Sequence, residues 1–214
     1  MSEDVQIVSN DQNKKDLKTI LLNNKKSIIA FVTILFIALF SYFFYLDYKR
    51  DAKAKISDQY NLGLINFENN NSSSSIEVMK NIINIKDSTY SPLALYFLLD
   101  NNLLKSKNEI NQYFDILINE LNIEKEVKDL LIYKKGLYNS DSASEEELLN
   151  IFKPLINEDN LWKSHSLYIL AEYFFSKNEK QKSKEFFEKI LQMDNANPQI
   201  RVEAQKRLQR DFSA

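Results

Sequence analysis

Chemistry needs side chains that donate, accept or ligate at workable spacing, and this chain holds few. Its one histidine is His165, and it has no cysteine. Disulfides, thiolate nucleophiles and Cys-based metal sites are therefore excluded, and His165 has no second His or Cys to complete a metal centre. Acid–base work by His165 would need a positioned partner, which no motif supplies. The serines at 72–75 stand beside asparagines at 69–71 and lack the glycines of a nucleophile elbow; they read as a polar loop. Two glycines in 214 residues leave no phosphate-cradling loop. The glutamates at 145–147 follow Ser144, which places them in the first turn of a helix, where the helix dipole favours negative charge. Asp129 and Glu172 read as carboxylates of a charged helical surface. The sequence predicts no catalysis, no cofactor and no metal.

The elements that must position these residues are helical. With 2 Gly and 3 Pro, the chain falls well below the usual shares of about 7% and 5%. That leaves little room for β-hairpin turns. Apolar residues recur at helical spacing in Ile110, Tyr113, Phe114, Leu117, Ile118 and Leu121, in Leu148, Ile151, Phe152 and Leu155, and in Leu167, Leu170, Ala171 and Phe174. Phe186, Phe187, Ile190 and Leu191 continue the pattern, and no stretch alternates strictly as a strand would. Ser144 followed by Glu147 forms a capping box, and Asn197 before Pro198 pairs a good N-cap with a Pro at the first helical position.

Residues 28–46, IIAFVTILFIALFSYFFYL, form a 19-residue run without charge, close to the roughly 20 helical residues that span a bilayer. Lysines precede it, and Asp47, Lys49 and Arg50 follow. A cleaved signal peptide would have an apolar run of about 7–15 residues and a small-residue site just after it. The run therefore reads as an uncleaved anchor. Residues 1–27 are expected as a cytoplasmic tail. Five lysines before the anchor against four basic residues after it barely set the orientation. Residues 1–55 carry a charge of +3 and residues 56–214 one of −5. An acidic domain without basic clusters argues against nucleic-acid binding.

Residues 51–210 divide into about nine helices of about 10–17 residues. They pair as hairpins over about 51–67 with 74–86, 89–100 with 107–120, 124–138 with 144–156, and 161–176 with 180–193, and a last helix near 198–210 caps the array. The pairs repeat about every 36 residues, near the 34 of tetratricopeptide repeats. The expected fold is all-α: a transmembrane helix, then a tetratricopeptide-like solenoid of about four hairpins with a capping helix. Ala171 and Gly63 act as the small residues of first helices, and Ser183 as that of a second. In that register His165, Tyr168, Glu172 and Phe175, and likewise Tyr60, Leu64 and Phe67, are expected on the inner face. The candidate protein-binding residues are Tyr60, Phe67, Tyr168, Glu172 and Phe175, because aromatic rings bring apolar area with few rotors.

One family combines these features. Phe152-Lys153-Pro154-Leu155, Asn160-Leu161-Trp162-Lys163 and Leu170-Ala171 are similar to its Pro-Leu…Trp-Arg…Ala pattern, with Lys163 where Arg is usual. Pro198, Arg201, Ala204 and Leu208 resemble its terminal helix. The chain thus resembles the ancillary SecYEG translocon subunits, which also join one anchor to a repeat domain. The resemblance implies a bacterial inner-membrane protein with a periplasmic domain that associates with the translocon, periplasmic chaperones and emerging secreted clients. An alternative expectation is a structural envelope-assembly protein with one dedicated partner.

Overall fold

The computed structural model describes residues 25–212. Among them stand nine helices: α1 (Lys25–Glu68), α2 (Ser72–Ile85), α3 (Tyr90–Asp100), α4 (Lys107–Glu120), α5 (Lys125–Asn139), α6 (Glu145–Asn157), α7 (Lys163–Ser176), α8 (Lys180–Gln192) and α9 (Pro198–Phe212). The expected cytoplasmic tail at 1–27 lies mostly outside the described residues. The chain forms two compact units that divide after Lys55, so α1 contributes to both.

In the first unit, α1 is long and apolar enough to cross a membrane. Its apolar side chains find no protein cover: Phe40 is 74% exposed and Phe44 80%. The sequence expectation separated an anchor at 28–46 from a repeat helix starting at 51, whereas the helix runs through both. No Gly or Pro stands between Leu46 and Ile56 to stop it. The Asp47–Arg50 pair, 3.0 Å apart at i,i+3, suits continued helix.

In three hairpins of the second unit the two helices approach at a small residue. The Ser75 hydroxyl donates to the Gly63 carbonyl at 2.8 Å, and the Ser183 hydroxyl donates to the Ala171 carbonyl at the same distance. Both pairs are separated by the same number of residues, so the first and last hairpins share one register. The serines at 72–75 thus form the first turn of α2 rather than a loop. The Asn71 side chain caps that turn by accepting from the Ser74 amide, which frees Ser75 to reach across. Gly136 marks the third hairpin: a Cβ there would lie 2.2 Å from the buried Phe152 ring.

The hairpin turns share chemistry as well. Asn70, Asn102 and Asn178 adopt positive φ of 61°, 52° and 61° directly after the first helices. The amide of the following residue returns to a carbonyl five residues back, from Asn71 to Asn66, Leu103 to Leu98 and Glu179 to Phe174. This is the Schellman ending of a helix, and Asn tolerates the left-handed position better than most residues. The capping box of Ser144 and Glu147 forms as expected, and the Asn197 side chain accepts from the amides of Gln199 and Ile200.

One apolar core runs through the first three hairpins, including Met79, Leu95, Phe114, Leu131 and Phe152, and reaches Phe174 of the fourth. A second cluster, with Leu167, Phe187 and Ile190, lies under α9. Phe174 is buried as its spacing predicted, while Trp162 is only half-buried.

Two substitutions test this packing in the full chain in detergent. Gly136→Ala gains about 1 kcal/mol of helix propensity but forces the Phe152 ring aside at a cost of about 1–3 kcal/mol, so net destabilisation is expected on chemical melting. Phe174→Ala removes a fully buried ring and should cost about 3–5 kcal/mol; a loss below about 1 kcal/mol would refute the packing described.

Candidate protein-binding face

Side chains link the first helices of successive hairpins, and each junction has its own residues. Between α1 and α3, Tyr60 lies against Tyr90 with ring centroids 5.8 Å apart, and Phe67 meets Phe97 edge-on at 5.3 Å. Between α3 and α5, the Lys134 ammonium sits 4.5 Å from the centre of the Tyr96 ring. Between α5 and α7, Tyr133 stacks on Trp162 at 4.8 Å, and His165 approaches Tyr133 edge-on. Between α7 and α9, Arg207 forms an ion pair with Glu172 at 2.7 Å. Each ring pair contributes on the order of 1 kcal/mol beyond its buried area.

These contacts orient every helix, because successive residues turn by about 100°. On α3, Tyr90 and Phe97 point to α1 and Tyr96 points to α5. The arc between them carries Leu93 and Asp100, both exposed. On α5, Lys134 faces α3 and Tyr133 faces α7, which leaves Glu126, Leu130 and Leu137 on the arc between. On α7 the same arc holds His165 and Ile169. The same offset on α1 gives Leu64 and Glu68. The second unit thus presents a row of aliphatic side chains, Leu64, Leu93, Leu130, Leu137 and Ile169, bordered by Glu68, Asp100 and Glu126 and by one cation, Lys134. Leu93 and Leu137 are 41% and 45% exposed, so the row is open to solvent at its middle.

The five residues singled out in the sequence fall into two groups. Tyr60 and Phe67 are half-buried and occupied in the α1–α3 seam. Tyr168, Glu172 and Phe175 come together on α7 beneath α9: Tyr168 packs edge-on against Phe187 at 5.5 Å, and Phe175 meets Phe212 at 5.8 Å. Burial, and next the Glu172 carboxylate, raise the Tyr168 phenol above its ordinary pKa. Each of the four rings meets another ring: Tyr60 and Phe67 meet the next first helix, Tyr168 meets the second helix of its own hairpin, and Phe175 meets α9. Leu64 and His165 do lie on the inner arc. Leu93, Leu130, Leu137 and Ile169 were missed. α3 reads YSPLALYFLLD, apolar on every side, so its sequence marks burial but no particular face.

His165 lies beside the stacked Trp162 and Tyr133 rings, and burial lowers its pKa while the Leu161 carbonyl pulls the other way. Comparison of the chain with protein-family models, with curated proteins and with solved structures gives no match.

Two outcomes follow from these placements. Tyr168→Ala should destabilise the second unit by about 2 kcal/mol, measured as a lowered unfolding midpoint, because the ring is part of the packing. The folded state also favours neutral His165. That contribution is complete above the ordinary histidine pKa and is lost as pH falls through the lowered folded value. Melting temperature should therefore fall between pH 7.5 and 5, and His165→Phe should make the fall smaller; an unchanged slope would show that His165 is not responsible.

Proposed function

We propose that this protein is a membrane-tethered, protein-binding scaffold whose second unit is a tetratricopeptide-like solenoid. The row of aliphatic side chains between the seams carries the reading. It is apolar, partly exposed and bordered by carboxylates, so it suits an apolar segment that also bears basic residues. The repeated small-residue contact at Gly63 and Ala171 and the seams between successive first helices support the solenoid reading.

The resemblance to the ancillary SecYEG subunits gives this scaffold its place: the bacterial inner membrane, with the N-terminus cytoplasmic and the second unit periplasmic. Its partners are the translocon, periplasmic chaperones or emerging secreted clients. Topology is tested by adding protease to spheroplasts. Digestion of the second unit is expected, and protection there combined with digestion in inverted vesicles would reverse the orientation.

Binding is tested by a photoreactive residue at Leu93 or Leu137 in intact membranes. Crosslinks to translocon components and to varied secreted proteins are expected, whereas one constant adduct would favour an envelope-assembly role. Leu93→Asp and Leu137→Asp change exposed positions. Each should weaken partner binding by about 1–2 kcal/mol with helicity unchanged, and full binding by the double variant would eliminate this face.

A further inference from the structure

The last hairpin is covered by α9 in an uneven way. α9 contributes one buried residue, Ala204, while α7 contributes seven. Ile200, Leu208 and Phe212 are only partly buried, and a shallow open groove runs along the α8–α9 seam beside Leu208 and Phe212. Arg207 adds a polar attachment to the apolar one. Its guanidinium meets both Glu172 oxygens, at 2.7 and 2.9 Å, and Asp211 at 2.7 Å. It also lies 4.5 Å from the Phe175 ring centre and 5.7 Å from that of Phe187. Glu172, Phe175 and Phe187 thus form a socket with an aromatic wall and an acidic end, shaped to one arginine.

We infer that α9 is a displaceable latch on a helix-binding socket, and that the socket accepts an amphipathic helix of a partner protein carrying an arginine between apolar residues. This rests on the protein-binding reading and adds a second site with its own regulation. The chemistry of the occupant is read from α9, which sits there: an arginine for Glu172 and the two rings, with Ala204, Leu208 and Phe212 as its apolar neighbours. A single ion pair in an aromatic setting gives register to such a contact, because guanidinium matches a carboxylate in only a few orientations. Departure of α9 uncovers the second cluster at Leu167, Phe187 and Ile190 and leaves the first apolar core, to which α9 contributes no residue, intact.

The probe is a fluorescent peptide with the sequence of residues 197–212, added to the full chain in detergent. It must compete with the chain's own α9, so binding to the unaltered chain is expected to be weak. Arg207→Ala weakens the latch and leaves the socket whole, and should tighten peptide binding at least tenfold. Adding Glu172→Gln to that variant should reverse the gain, as should a peptide with alanine at the place of Arg207. Hydrogen exchange on the unaltered chain gives an independent readout: amides of α9 should exchange at least tenfold faster than those of α7. Peptide binding no tighter to the Arg207→Ala chain, or exchange in α9 as slow as in α7, would overturn the latch. Self-association of the Arg207→Ala chain without peptide binding would make a second copy the occupant and overturn the partner helix. Leu93 and Leu137 are untouched throughout, so failure here leaves the crosslinking test of the aliphatic row independent.

Discussion

The second unit depends on how closely the two helices of a hairpin approach. At Gly136 there is no room for a Cβ, because the Phe152 ring occupies the place, and at Gly63 a Cβ would meet the end of the flexible Met79 side chain. At Ala171 the carbonyl is near enough to accept from Ser183. This separation fixes where the outer flank of each first helix lies. A hairpin covers only one of its apolar flanks internally, and the other must be closed by its neighbour. The seams therefore follow from the small residues: with the hairpins held tight, Phe67 reaches Phe97 and Tyr133 reaches Trp162. A larger side chain at Gly136 would act on the Phe152 ring first and on the neighbouring seam through it.

The same geometry sets what was legible in the sequence. Helical periodicity marked α4 and α6 because each is amphipathic, with a single buried stripe such as Ile110, Phe114 and Leu117. Capping chemistry marked the starts of α6 and α9, since Ser144 and Asn197 act locally. The start of α2 was misplaced because four serines resemble a loop, and only Ser75, reaching to Gly63, shows why they are helical. The continuous α1 was divided at Asp47 because a change from apolar to charged residues alters the surroundings of a helix without interrupting its hydrogen bonds. The candidate site was the least legible part. Tyr60 and Tyr168 share an offset from a small residue, but one meets the next first helix and the other meets the second helix of its own hairpin. Such a difference depends on contacts between distant parts of the chain, and periodicity carries only local information.

Charge is distributed along the same lines. Some charges of residues 56–214 form ion pairs between helices, as in Lys80–Glu109, Lys86–Glu120 and Lys135–Asp115, which leave the net acidic excess unchanged. These exposed or half-exposed pairs contribute little stability individually, since solvent screens them. Their main effect is on register, because each joins one hairpin helix to a particular neighbour. Glu68, Asp100 and Glu126 border the aliphatic row, and among the described residues none of the ion pairs above uses them. An acidic border of that kind repels acidic segments and admits basic ones, which makes it a filter more than a source of affinity.

A shallow row with a carboxylate border would be a weak binding site for a protein free in solution. Its exposed leucines are separate side chains over several helices, not one deep pocket, and tight interfaces usually concentrate their energy in a few buried anchors. The apolar stretch of α1 changes that requirement. In the proposed arrangement both the scaffold and its partner are confined to one membrane, and the encounter takes place at an effective concentration far above that in solution. Weak contacts then suffice for occupancy, and fast dissociation lets one face serve several segments in turn. The two proposed sites also differ in a way that suits such a task. The aliphatic row selects broadly by apolarity and charge, whereas the Arg207 socket demands one guanidinium in one orientation. A scaffold that holds varied segments on one face and a fixed partner helix at its end would need that division.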